Sequence, residues 1–149
     1  LVGFFKVCFI LDHLSKVPEN INLWLLYLLS YVNSNKLTLK EIAMLVFSLD
    51  FLYTHTNRLQ QHELKEIENK VILLIELINS YYRVDEYIYK SSISESPLEE
   101  TRYAIFSINL IEDIIQDAIY YYNANFQPIT KIYQHLMDPL KIASKILET

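Results

Sequence analysis

Leu37-Thr38-Leu39-Lys40-Glu41-Ile42-Ala43-Met44-Leu45-Val46-Phe47-Ser48-Leu49-Asp50-Phe51-Leu52 is the stretch around which the rest of the chain is organised. Leu39, Ile42, Val46, Leu49 and Tyr53 recur at the spacing of one helix face, and Leu45, Phe47, Phe51 and Leu52 widen that face until little polar surface is left. Such a helix has to be covered on more than one side, so residues 38–53 are expected at the centre of the fold. Thr38 followed by Glu41 reads as a capping box, in which the hydroxyl accepts from the Glu41 backbone N–H and the carboxylate reaches back to the N–H of Thr38. The stretch decides architecture, not chemistry.

Composition narrows the fold class to all-α. Of 149 residues, 52% are hydrophobic, with 12 Tyr and 7 Phe but a single Gly, so tight strand turns and Gly-lined phosphate loops have almost no material. The length suits one domain over residues 1–149. A net charge of −5 and the lack of a Lys/Arg stripe argue against broad nucleic-acid binding, since phosphate affinity comes from clustered cations. Cys8 has no partner for an internal disulfide, which fits an intracellular, reducing setting and a core position. The longest apolar run, residues 21–32, falls short of the roughly 20 residues that cross a bilayer, so no membrane span is expected. The chain begins at Leu1 and not Met, which fits a processed product, with or without a lost targeting sequence, or a portion of a longer polypeptide.

Outward from the central helix, about six helices are expected, stacked as antiparallel hairpins in a helical repeat or a bundle. The first covers residues 2–16 with Phe4, Val7, Cys8, Leu11 and Leu14 inward, stopped at Val17-Pro18. The second, from about Pro18 or Asn20 to Tyr31, is apolar nearly all round. The longest, 60–82, enters charged and ends apolar, with Glu66 and Lys70 paired one turn apart. Residues 85–89 read as a helical tail or an extended link. A Ser-rich linker at 91–96 leads to Ser96-Pro97-Leu98-Glu99, a helix start with a capping residue and Pro at the first position, running to about 123. Gln127-Pro128 opens the sixth helix, which Asp138-Pro139 kinks or splits.

Phe9-Ile10-Leu11-Asp12, Phe47-Ser48-Leu49-Asp50 and Phe106-Ser107-Ile108-Asn109 begin alike, the first two about 38 residues apart, near what one helical-hairpin repeat occupies. Shared amphipathic composition produces the same likeness without common ancestry. The phrase from Leu39 to Leu52, and more faintly the copy at 102–111, resembles the repeat helix of organellar helical-repeat proteins of the RAP-domain and FAST-kinase-like kind. That resemblance implies stacked helical pairs, a mitochondrial or plastid location, and work with RNA or the ribosome. The acidic charge, irregular spacing and missing nuclease-like domain turn the expectation toward a structural place in a ribonucleoprotein and away from direct RNA contact.

No catalytic residue, metal ligand set or cofactor is expected. His62 and Glu66 share a helix face that His55 approaches, but without the HExxH or CxxC spacing that holds zinc they read as surface polar residues. Glu112, Asp113 and Asp117 make an acidic face that is solvated or meets a basic partner, with no second acid, base or nucleophile to make it catalytic. The aromatic excess says more. Tyr81, Tyr82, Tyr87, Tyr89, Tyr120, Tyr121, Tyr122 and Tyr133 outnumber what a core needs, and consecutive Tyr on a helix must point several ways, so some are expected at an interface with a protein or, less well matched, with stacked bases; the alternative is a Tyr-rich core edge in a composition biased to Ile, Asn and Tyr.

The sequence therefore favours a non-enzymatic helical-repeat interaction module docked in a larger assembly, such as a mitochondrial ribosome, with a protein partner and RNA nearby. The competing reading is a self-contained bundle that acts on one protein as an effector, immunity or regulatory domain. Exposed apolar residues at the terminal helices would mark the first, and a closed surface the second.

Overall fold

The Thr38 capping box forms as its residues require: the Glu41 N–H donates to Thr38 Oγ1 and the Thr38 N–H donates to Glu41 Oε1, both at 3.1 Å. A computed structural model describes residues 1–33, 36–56, 58–93 and 95–122. Among these the chain order is α1 (Val2–His13), α2 (Ile21–Leu29), α3 (Leu39–His55), α4 (Gln61–Ser80), a short hairpin of β1 (Tyr82–Arg83) and β2 (Ile88–Tyr89), and α5 (Pro97–Tyr122). Five helices are thus seen where about six are expected; the sixth, from Gln127, lies outside the described residues.

Helix α3 is the axis. Leu39, Ile42, Val46, Leu49 and Tyr53 are all buried, together with Leu45, Phe51 and Leu52, and α1, α2, α4 and α5 all pack on it. Its most extensive partner is α5, which is not its neighbour in sequence. Contacts along α3 set the directions of the others. Phe5 and Phe9 of α1 pack on Phe47, and Asp12 lies near Asp50; Tyr103 and Phe106 of α5 share a groove with Ala43 and Phe47, while Asp113 and Asp117 lie near Asp50. Both helices therefore run in the same sense as α3. Helix α4 runs oppositely, its end reaching the start of α3, where the Tyr81 hydroxyl donates to the Leu37 carbonyl.

Three local features differ from expectation. Helix α1 stops at His13, not Lys16, because Ser15 turns into the left-handed region (φ 54°), with its N–H donating to the Asp12 carbonyl and the Lys16 N–H to that of Leu11. In a chain with one Gly, a Ser serves at a position that usually takes Gly. Val7 and Leu14, expected inward, are exposed; Cys8 alone of α1 is fully buried, because α1 meets α3 along a narrow line. Helix α4 ends at Ser80 and not at Tyr82, because Tyr82 opens a two-stranded hairpin opposite Tyr89; of the two readings of residues 85–89 the helical tail is absent and the extended one holds for Ile88 and Tyr89, with Tyr87 left-handed (φ 56°) in the turn.

That hairpin is fastened to α5. Thr101 Oγ1, on the first turns of α5, accepts from the Tyr89 N–H at 3.1 Å and lies 3.0 Å from the Tyr89 carbonyl and 2.8 Å from that of Pro97. Ser91, first residue of the Ser-rich linker, is held by Glu100, whose carboxylate accepts from its N–H (2.9 Å) and hydroxyl (3.0 Å). At the start of α4 Glu63 accepts from the Gln60 N–H at 3.1 Å, a second reach-back contact.

Candidate interaction surfaces

Two apolar depressions flank α1, one on each side. The first, about 680 Å³, lies between α1 and α2 and is lined by Leu1, Phe4 and Val7 with Leu23, Trp24, Tyr27 and Tyr31. The Phe4 ring stands 5.5 Å from Trp24 and 5.8 Å from Tyr27, and Tyr27 meets Tyr31 edge-on at 5.5 Å. Trp24, Tyr27 and Tyr31 follow one another at steps of three and four, as on one helix face, and Phe4 of α1 packs across the first two. Leu23 is 64% exposed and Tyr27 58%, and no charged side chain lines the hollow. A helix as short and as uniformly apolar as Ile21–Leu29 has more apolar sides than α3 can cover, so one faces out.

The second, about 450 Å³, is a groove with α3 as floor and α1 and α5 as walls. Its middle is aromatic: Phe5 and Phe9, Phe47, then Tyr103 and Phe106. Phe9, Phe47 and Phe106, the residues that open the three similar sequence phrases, thus line one groove. Lys40 and Arg102 stand at one end. Arg102 lies over the Tyr103 ring at 5.6 Å and pairs with Glu99 at 3.5 Å. Beyond the other end Asp12, Asp50, Asp113 and Asp117 from three helices come near one another. Burial first, and then the carboxylates of Asp113, Asp117 and Asp12, push the Asp50 carboxyl up to about 6.

The predicted tyrosine surface divides. Tyr89 is fully buried and Tyr81 almost so, hence both belong to the core and not to an interface; Tyr82 is half-buried against Tyr89, with ring centroids 5.1 Å apart, and Tyr87 half-buried in the hairpin turn. Tyr122 is half-buried near Tyr53, whereas Tyr120 and Tyr121 are exposed and stack edge-on at 4.9 Å. Tyr133 lies outside the described residues. In the acidic face Asp113 is exposed, while Glu112 and Asp117 are half-buried. His55 packs edge-on against Phe51 at 5.0 Å, His62 is exposed, and Glu66 pairs with Lys70 at 3.8 Å, so these three are not brought together. Among the described residues no three His, Cys, Asp or Glu side chains are placed to hold a metal ion. No described helix is long and apolar enough to cross a membrane.

Sequence reasoning missed Phe4, Leu23, Trp24, Tyr27 and Tyr31 as a surface. Their signal was present in α2, apolar nearly all round yet only nine residues long. No family model matches this chain, and no curated protein or solved structure matches it either.

Proposed function

We propose that this protein is a non-enzymatic interaction module that docks on a protein partner through the hollow between α1 and α2. The observation that carries the reading is that hollow itself: aromatic, open and free of charged lining residues in a chain whose net charge is −5. A contiguous apolar surface of this kind is costly to leave in water and is the ordinary mark of a protein contact. The absence of Lys and Arg from its lining gives RNA no phosphate contacts there, so the partner offers an apolar helix or loop. Placement in an organellar ribonucleoprotein such as a mitochondrial ribosome is part of the proposal and rests on the resemblance of the Leu39–Leu52 phrase.

The second reading, a self-contained bundle acting on a single protein, draws on the way four helices ring α3, since a closed bundle has one such axis. Both readings use the same surface and differ in the size of the complex.

The test is sedimentation of native extracts from the source cells, with and without ribonuclease, comparing the wild-type chain with a Leu23→Glu/Tyr27→Glu variant. Both positions are exposed, so the variant should keep the wild-type melting temperature. Co-sedimentation with a large particle, lost in the variant, supports docking, and collapse of that particle under ribonuclease supports the ribonucleoprotein setting. A small complex lost in the variant supports the bundle reading. Wild-type protein that sediments alone, or a variant that stays with its partner, overturns the docking surface.

A further inference from the structure

We propose that the groove floored by α3 is a binding site for a free medium-chain carboxylate, with the acid head at Lys40 and Arg102 and the tail along Phe9, Phe47 and Phe106. The inference is independent of the α1–α2 hollow.

The shape of the groove selects a small ligand. Its volume of about 450 Å³ falls within the range of about 300–1,000 Å³ usual for small-molecule sites. Helix α3 lies beneath it and α1 and α5 stand at its sides, so a thin molecule is covered on three sides. Along α3 the lining runs from Lys40 to Phe47, a rise of about 10 Å. A partner helix, about 10–12 Å across with its side chains, would meet that length for only about two turns. An alkyl chain fits it better. Carbon–carbon bonds of about 1.5 Å advance about 1.3 Å per carbon in an extended chain, so a tail of about eight or nine carbons fills the groove.

The lining selects an acid with an apolar tail. Phe9 is 44% exposed and Phe106 43%, and Phe5 and Phe47 are half-buried, so aromatic area stands in water that an alkyl tail would cover. The charged lining residues stand at one end. Lys40 is exposed and makes no ion pair among the described residues. Arg102 is shared with Glu99 at 3.5 Å, but both partners are exposed, which makes the pair weak and open to competition by a second carboxylate. Glu99 does not line the groove; its carboxylate accepts from the Tyr103 hydroxyl at 3.1 Å. Helix α3 begins at this same end, one residue before Lys40, and its positive N-terminal end favours an anion there. Beyond the other end stand Asp12, Asp50, Asp113 and Asp117, which repel a carboxylate and so fix the direction of the ligand. The acid must be free, since an ester or a protein-linked acyl group has lost the anion that the cationic end recognises.

The test is calorimetric titration of the full chain with decanoate, below the concentration at which it self-associates, and with decylammonium as the probe of opposite charge. The wild type should bind decanoate saturably and one-to-one, and decylammonium at least tenfold more weakly. Lys40→Gln/Arg102→Gln should weaken decanoate about tenfold, and Phe106→Asp should abolish its binding. All three positions are exposed, so both variants should keep the wild-type circular dichroism. Leu23→Glu/Tyr27→Glu should bind decanoate as the wild type does. Absence of saturable binding would overturn the inference, as would equal binding of the two probes or affinity that survives either groove variant. So would loss of binding in Leu23→Glu/Tyr27→Glu, which would put the ligand in the α1–α2 hollow.

Discussion

Thr101→Val probes the joint between the hairpin and α5 with almost no change of shape. Thr101 is fully buried, and its hydroxyl accepts from the Tyr89 N–H and donates to one of two carbonyls within 3.0 Å, those of Tyr89 and Pro97. Tyr89 is itself fully buried, so neither water nor a shifted side chain readily replaces the lost oxygen. Valine is isosteric and equally β-branched, which holds packing and helix propensity nearly constant. Removing one partner of a buried hydrogen bond costs about 1–3 kcal/mol. We expect a loss of about 2 kcal/mol, seen as a urea midpoint lower by about 1 M and a melting temperature lower by roughly 4–8 °C. Thr101→Ser keeps the hydroxyl and gives up a methyl group, and should lose only about 1 kcal/mol. Exchange of the Tyr89 amide should accelerate in the valine variant and not in the serine variant. Equal stability of Thr101→Val and wild type, or a serine variant weaker than the valine one, would refute the assignment of this hydroxyl as the fastening.

Other expectations concern single groups. Ser15→Gly should stabilise the chain by about 1 kcal/mol in urea unfolding, because Ser15 holds a left-handed conformation that costs L-residues about 1–2 kcal/mol. Thr38→Ala should lose about 1 kcal/mol with the capping box and fray the start of α3, readable as faster exchange of the Glu41 amide. Tyr53→Phe should be neutral or stabilising by about 1 kcal/mol, since the Tyr53 hydroxyl is buried without a hydrogen-bond partner among the described residues; a loss above that size in thermal melts would show that it has one. Burial raises the Cys8 thiol, and the contact with Ser48 offsets this only in part. Cys8 should therefore resist alkylation in the folded chain and react promptly once urea unfolds it.

Most of the helical skeleton was legible because each helix carried its own local signal. The α3 stripe, the Thr38–Glu41 cap and the Pro97 start are short-range facts, and all three stand in the structure. The hairpin at residues 82–89 was not legible, since its turn places Tyr87, not a glycine or asparagine, in the left-handed region. The candidate interface was legible only in kind. An excess of tyrosine announced exposed aromatics, but the count cannot say which rings face out.

The sequence by itself determined the helical class and the central place of α3, because periodicity and composition act within a few turns of chain. Tertiary structure decided everything that depends on two helices meeting. It sent Tyr81 and Tyr89 to the core and left Tyr120 and Tyr121 in solvent, although all four read alike in sequence. It also opened an aromatic hollow between α1 and α2, and it gathered Phe9, Phe47 and Phe106 from distant parts of the chain around one groove. The physical reason is that α3 has a fixed circumference: the helices packed on it bury their best faces against it, and the apolar area left over stays exposed.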